Sequence, residues 1–222
     1  MKLEIWNWTA YLWDCLEVMK TIPDNNYDLA IVDPPYGIGE DGSKNHSRGK
    51  CAKGKNYKAF AGNDLCAPSI EYFNELRRIS KNQIIFGANH FISKIPIDSS
   101  CWFVWDKDNG GSDFADCELA WTSFNTAVRR LKYRWAGMLQ QNMKNKEFRI
   151  HPTQKPVDVY RWLLKNYAKD GDKIFDSHGG SFSSAIACDM EGYDLDICEL
   201  DKYYFDAAVQ RFNMYKSQLT LF

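Results

Sequence analysis

The stretch IVDPPYGIG (Ile31 to Gly39) sets an acid and an aromatic ring three residues apart on a backbone stiffened by two prolines. Proline lacks an amide donor and fixes its own φ, so Pro34 and Pro35 cannot continue a central strand. The YDLAIV before them is apolar and β-branched, the pattern of a buried strand. Asp33 therefore falls at the C-terminal edge of a strand, on a rigid turn. In open α/β sheets that edge is where ligands bind.

A second group with chemical potential lies near the C-terminus. DKIFDSHGGSF reads as a strand (Lys173 to Phe175), a turn holding Gly179 and Gly180, and a helix from about Phe182 to Met190. A further strand at Asp194 to Cys198 ends in Glu199, and another helix starts near Lys202. Asp176 and Glu199 are 23 residues apart, close to the roughly 20-residue interval between a glycine-rich turn and a ribose-binding acid. Taken alone the turn lacks the full dinucleotide-binding pattern and suits any strand-to-helix connection. With Glu199 behind it, the unit reads as a nucleotide site. A third motif, HPTQKP (His151 to Pro156), opens the helix KPVDVYRWLLKNYA, with Pro156 near the first turn.

The elements that must position these groups alternate between strand and helix. LEIWNW reads as a strand, Leu12 to Lys20 as a helix, SIEYFNELRRIS as an amphipathic helix, and NQIIFGANHF, CWFVWDK and CELAWTSF as strands. Asn125 to Phe148 reads as irregular, basic and aromatic. Gly37 to Gly62 is rich in Gly, Lys and Ser without periodicity, the signature of a mobile functional loop. The alternation predicts an α/β fold with a doubly wound, mostly parallel sheet.

Composition narrows the class. A chain of 222 residues fits one domain, and at 45% hydrophobic it can bury a full core. No apolar run approaches a membrane-spanning length, and the first residues lack a signal-peptide layout. Seven cysteines without CxxC spacing and four scattered histidines argue against a disulfide framework and a metal site, and for the cytoplasm. Net charge is only −1, but Glu40 to Lys58 carries +4, Arg129 to Lys155 carries +7, and Lys169 to Asp206 carries −7. One charge run is commonly a solvated face; two basic segments beside an acidic core point to a polyanion partner.

DPPY at a strand end, HPTQKP before a helix, and a glycine turn with a following acid together resemble the β class of amino-group DNA methyltransferases. In that permuted class the catalytic motif precedes the cofactor motif. The resemblance runs through DCLEVMKTIPDNNYDLAIVDPPYGIG (Asp14 to Gly39), HPTQKPVDVYRWLLKNYAKDGDKIFD (His151 to Asp176) and ICELDKYYFDAAVQRF (Ile197 to Phe212), nearly the whole chain. It implies a Rossmann-like, circularly permuted methyltransferase domain over residues 1–222. Within it, residues 37–62 would form the mobile basic loop and residues 125–150 a small target-recognition insertion.

What the resemblance implies about the site can be stated residue by residue. Asp33 and the Pro34 carbonyl would accept the protons of an exocyclic amine, with Pro35 keeping them rigid and Tyr36 stacking on a base rotated out of the duplex. The methyl donor would be S-adenosylmethionine. Asp176, Gly179 and Gly180 would face its methionine portion, Glu199 its ribose, Asp14 and Cys15 its adenine, and Thr153, Gln154 and Lys155 its carboxylate. His151 is expected to shape a turn. The family often shows a PFxGSG-like turn where this chain has SHGGSF, with Phe182 at the last glycine. The substrate implied is duplex DNA, methylated at adenine N6 because the motif starts with Asp rather than Ser. Cytosine N4 methylation, RNA methylation and a non-catalytic nucleic-acid-binding protein are the alternatives.

Overall fold

The computed structural model describes residues 1–5, 8–39, 63–110, 115–136 and 138–219. Residues 40–62, most of the basic loop with Lys50, Lys53, Lys55 and Lys58, lie outside the described residues.

The strands are β1 (Lys2–Ile5), β2 (Trp8–Leu12), β3 (Tyr27–Val32), β4 (Ser80–Phe86), β5 (Trp102–Asp106), β6 (Cys117–Thr122), β7 (Arg129–Lys132), β8 (Trp135–Ala136), β9 (Leu139–Gln140), β10 (Lys173–Asp176) and β11 (Asp194–Glu199). The helices are α1 (Cys15–Thr21), α2 (Ile70–Ile79), α3 (Val157–Tyr167), α4 (Ser183–Glu191) and α5 (Lys202–Leu219). Among the described residues nine strands form one sheet in the order β1-β2-β11-β10-β3-β4-β6-β5-β7. From β2 to β4 all pairings are parallel, and β6 runs antiparallel to both its neighbours. The sheet is mostly parallel and mixed, as the alternation of elements predicts.

Strand β3 shows how the chain winds both faces. Its side chains alternate, so Leu29 and Ile31 enter the core shared with α3, α4 and α5, while Ala30 and Val32 enter the core shared with α1 and α2. A strand buried on both sides needs a continuous apolar run, which YDLAIV supplies.

Two expectations need correction. The helix expected from Leu12 starts at Cys15, because Trp8–Leu12 is held as a strand between β1 and β11 and Asp14 caps the helix through the amides of Leu16 (2.8 Å) and Glu17 (3.4 Å). The segment from Asn125 to Phe148 is not irregular throughout. Arg129–Lys132 becomes the edge strand of the main sheet, parallel to β5, and β8 and β9 form a small hairpin beyond it. Exposed arginines and lysine are common on a sheet edge, where they discourage pairing with another chain. Among the described residues no helix is long and apolar enough to cross a membrane.

Candidate active site

Strands β11, β10 and β3 are adjacent and parallel, so their C-terminal ends lie side by side. Asp33 follows β3, Asp176 ends β10 and Glu199 ends β11. The fold thus gathers three acids from distant parts of the chain on one edge.

Asp33 belongs to a charged cluster. Its Oδ1 accepts from the Tyr36 hydroxyl at 2.8 Å, and its Oδ2 lies 2.5 Å from the Lys155 ammonium. Lys155 also reaches Glu118 at 2.9 Å and the Tyr36 oxygen at 3.2 Å, and Glu118 pairs with Lys107 at 2.6 Å. The Lys155 side chain is only 4% exposed. Burial opposes its charge, but Asp33 and Glu118 outweigh burial and hold its pKa above the ordinary lysine value. For Glu118 burial pushes upward, yet Lys155 and Lys107 bring it down to about 2. Asp33 is raised by burial and by Glu118, against the pull of Lys155 and Tyr36.

The turn after Asp33 is anchored from behind. Asp64 accepts from the amides of Gly37 (2.7 Å) and Ile38 (3.2 Å), and Gly37 has a φ of 76°. The Tyr36 ring stacks on His90 (5.1 Å between centroids, 16° between planes) and lies so close to Gly87 that any Cβ there would collide with it. Tyr36 therefore offers both a ring and a hydroxyl that orients Asp33. Pro34 is buried and Pro35 half-buried.

The glycine turn is built differently. The Gly180 amide donates to Glu199 Oε2 (2.7 Å), and the Asp201 amide to Oε1 (2.8 Å). Asp176 accepts from the His178 amide (3.0 Å) and the Ser184 hydroxyl (2.5 Å). Burial lifts both carboxyls to about 7. The Gly179 amide donates to the Cys198 carbonyl (2.7 Å). A Cβ on Gly179 would stand 2.6 Å from the Phe182 ring. Phe182 adopts a left-handed conformation (φ 57°) and is fully buried against Trp8 and Phe205. Glycine suits that backbone better, so the ring's burial offsets a strain of roughly 1–2 kcal/mol. This accounts for SHGGSF: Phe182 fills the core, and Gly179 leaves it room. His178 bridges Ser177 (Nδ1, 2.8 Å) and approaches the Cys15 sulfur (Nε2, 3.9 Å); burial lowers it to about 4 and lifts the Cys15 thiol to about 12.

The HPTQKP segment does not act as one unit on the donor side. His151 bonds the Thr153 hydroxyl (3.0 Å), sits edge-on to Tyr204 and flanks Gly180, with burial lowering it to about 4. Thr153 is exposed. Gln154 is buried and fastens its own loop through the Ile150 amide (2.9 Å) and the Phe148 carbonyl (3.3 Å), while its carbonyl accepts from the Trp135 indole (2.9 Å). Lys155 turns to Asp33, since a buried ammonium needs carboxylates and those of Asp33 and Glu118 are within reach. Asp14, expected toward adenine, accepts both α1 cap amides on Oδ1.

Sequence reasoning missed Glu118 and Asp64, and placed Lys107 at a strand end without giving it a role. The available signal for Glu118 was an acid near the start of the otherwise apolar CELAWT strand.

The N6/N4 family of DNA methylases matches residues 104–210, which include Glu118, Lys155, the glycine turn and Glu199. The type II methyltransferase M.HinfI of Haemophilus influenzae is 23% identical over 89% of this chain, and M.HpaI of Haemophilus parainfluenzae 25% identical over 89%. The chain spans 66% of the first relative's length and 72% of the second's. The solved M1.HpyAVI-SAM complex shares the fold, with a TM-score of 0.60 at 20% identity over 92% of this chain and 98% of that one. The family match, these relatives and the shared fold make the chain similar to the amino-group DNA methyltransferases of the N6/N4 family.

Proposed function

We propose that the protein transfers a methyl group from S-adenosylmethionine to the N6 amine of adenine in duplex DNA, by direct attack from a base rotated out of the helix. The observation that supports this most is the shared edge: a carboxylate on a rigid turn after β3 stands beside the glycine turn and acid of β10 and β11.

The residues present fit the donor. Glu199 accepts two backbone amides, which leaves lone pairs for a ribose diol. Among the described residues, and apart from its chain neighbours, the His151 ring alone comes within 4.0 Å of a Cβ built on Gly180, so the backbone is open to close approach. Asp176, Gly179 and Gly180 would line the methionine portion, with Cys15 and the Asp14 turn toward adenine. Thr153, exposed at the surface, would meet the donor carboxylate.

Bound there, the donor supplies an electrophilic methyl group on sulfur. The target amine is a weak nucleophile because its lone pair is delocalised into the ring. Asp33 and the Pro34 carbonyl would accept its two hydrogens and favour a more sp³-like nitrogen aimed at the methyl. As the N–C bond forms, the S–C electron pair stays on sulfur, and the surplus amine proton leaves through Asp33 to solvent. The Tyr36 ring would flank the base while its hydroxyl keeps Asp33 aimed.

Labelled methyl transfer to duplex DNA, followed by nucleoside analysis, tests this. The expected product is N6-methyldeoxyadenosine. N4-methyldeoxycytidine would move the target to cytosine, and label on RNA alone would change the substrate class. Asp33→Ala is expected to abolish transfer with donor affinity largely kept; near-normal turnover would remove Asp33 from the chemistry.

A further inference from the structure

Among the described residues the Lys155 ammonium has two carboxylate partners, Asp33 at 2.5 Å and Glu118 at 2.9 Å, and its side chain is almost fully buried. A buried ammonium cannot be left unpaired without a large penalty. In methyl transfer as proposed above, Asp33 must turn its lone pairs to the target amine. Every donor that Asp33 accepts from the amine competes with Lys155. Glu118 lies on a neighbouring part of the sheet, does not follow β3, and is itself held by Lys107 at 2.6 Å.

Building on that methyl-transfer reading, we propose that Glu118 is a positioning residue: it holds the Lys155 ammonium beside Asp33 and takes it over when Asp33 accepts the amine hydrogens. The handover requires no large motion, because one nitrogen already touches both acids. Tyr36 follows the same logic, its hydroxyl donating to Asp33 at 2.8 Å with Glu118 at 3.3 Å as a second acceptor. Lys155 and Tyr36 can thus both lean from one acid to the other while the cluster keeps its charge.

The groups that set the charge on Asp33 come from several elements. They are Lys155 before α3, Glu118 on β6, Tyr36 on the same turn, Tyr160 on α3, Asp176 at the end of β10, and Lys107 behind Glu118. Removing the charge of Glu118 leaves Lys155 to Asp33 alone. Asp33 then ionises more readily, but it is less available to the amine.

The test is single-turnover methyl transfer to duplex DNA across pH, with donor affinity by calorimetry and thermal melting alongside. Glu118→Gln is expected to lower the plateau rate by about tenfold or more and to move the acid limb down by about one pH unit, with donor affinity unchanged. Glu118→Asp, which keeps the charge, should recover part of the rate. Should Glu118→Gln fail to fold, Lys107→Gln carries the test in the opposite direction: it frees Glu118 for Lys155, and the acid limb should move up. An active parent whose Glu118→Gln variant keeps both plateau and limb overturns the role of Glu118 alone. So does a Lys107→Gln limb that stays put or moves down. A parent inactive on duplex DNA overturns the methyl-transfer reading and the role of Glu118 with it.

Discussion

Two carboxyls on the donor edge, Glu199 and Asp176, are both held near 7 by burial, and this has a consequence for ligand binding. A ribose diol donates hydrogen bonds, so it favours ionised Glu199, each charge-assisted bond contributing about 1.5–3 kcal/mol. Above pH 7 the carboxylate is ready. Below pH 7 it holds a proton that binding must displace, so donor affinity should fall with pH, by about tenfold per unit for each linked proton. Asp176 facing the donor's ammonium would add a second proton to the same window. Glu199→Gln should therefore weaken binding by an order of magnitude or more at pH 8 and remove about one proton from the pH dependence. Calorimetry from pH 6 to 8 measures both. An unchanged affinity and slope would move the ribose contact to Asp201, whose amide already packs against this acid.

At the scale of elements, what the sequence revealed depended on the range of the interaction. Apolar runs and glycine turns are local, so β3, α2, α3 and the unit from Lys173 to the start of α5 could be read from spacing, within a residue or two at their ends, while the C-terminal end of α5 was not read. Strand β7 could not, because RRLK is polar and becomes a strand only by pairing with β5. Asp33, Gly179, Gly180 and Glu199 were legible because motifs carried them. Glu118 was not, since its role depends on a lysine 37 positions away in sequence. Phe182 belongs to both kinds: its departure from the usual glycine was visible, but its reason lies in the packing with Trp8 and Phe205. That packing makes a prediction. Gly179→Ala would drive a methyl into the Phe182 ring and to 3.0 Å from Ile197, both fully buried. It should cost about 1–3 kcal/mol of stability, read as a lower denaturant midpoint. Phe182→Leu in the same background should recover part of it. A full-strength midpoint for Gly179→Ala would mean the turn can shift freely.

For the whole molecule, a net charge of −1 allows DNA binding only if positive charge is gathered on one face. The fold separates the second basic segment by position. β7 runs parallel to β5, with Arg129 opposite Phe103 and Lys132 opposite Asp106. Arg129 therefore sits toward the sheet edge away from Asp33, in a pocket with Phe124, Tyr167 and Lys169. Beyond Lys132 the chain passes Lys107 and forms the β8–β9 hairpin, which joins the Asp33 side through Trp135 and the Gln154 carbonyl. Lys132 and Arg134 are shared with Asp108 (2.9 and 2.8 Å), whereas Lys144 and Lys146 stand exposed after β9. If the proposed substrate is met at the Asp33 edge, Lys144 and Lys146 contact phosphates and Arg129 does not. The log–log salt slope of DNA binding should then flatten by up to about 1.8 in the Lys144→Gln, Lys146→Gln double variant, about 0.9 for each phosphate that is no longer neutralised. Arg129→Gln should leave affinity and slope at parental values. Fluorescence anisotropy on a labelled duplex at several salt concentrations measures both. The reverse pattern, with Arg129 sensitive and the lysine pair silent, would place the DNA on the opposite edge of the sheet, out of reach of Asp33.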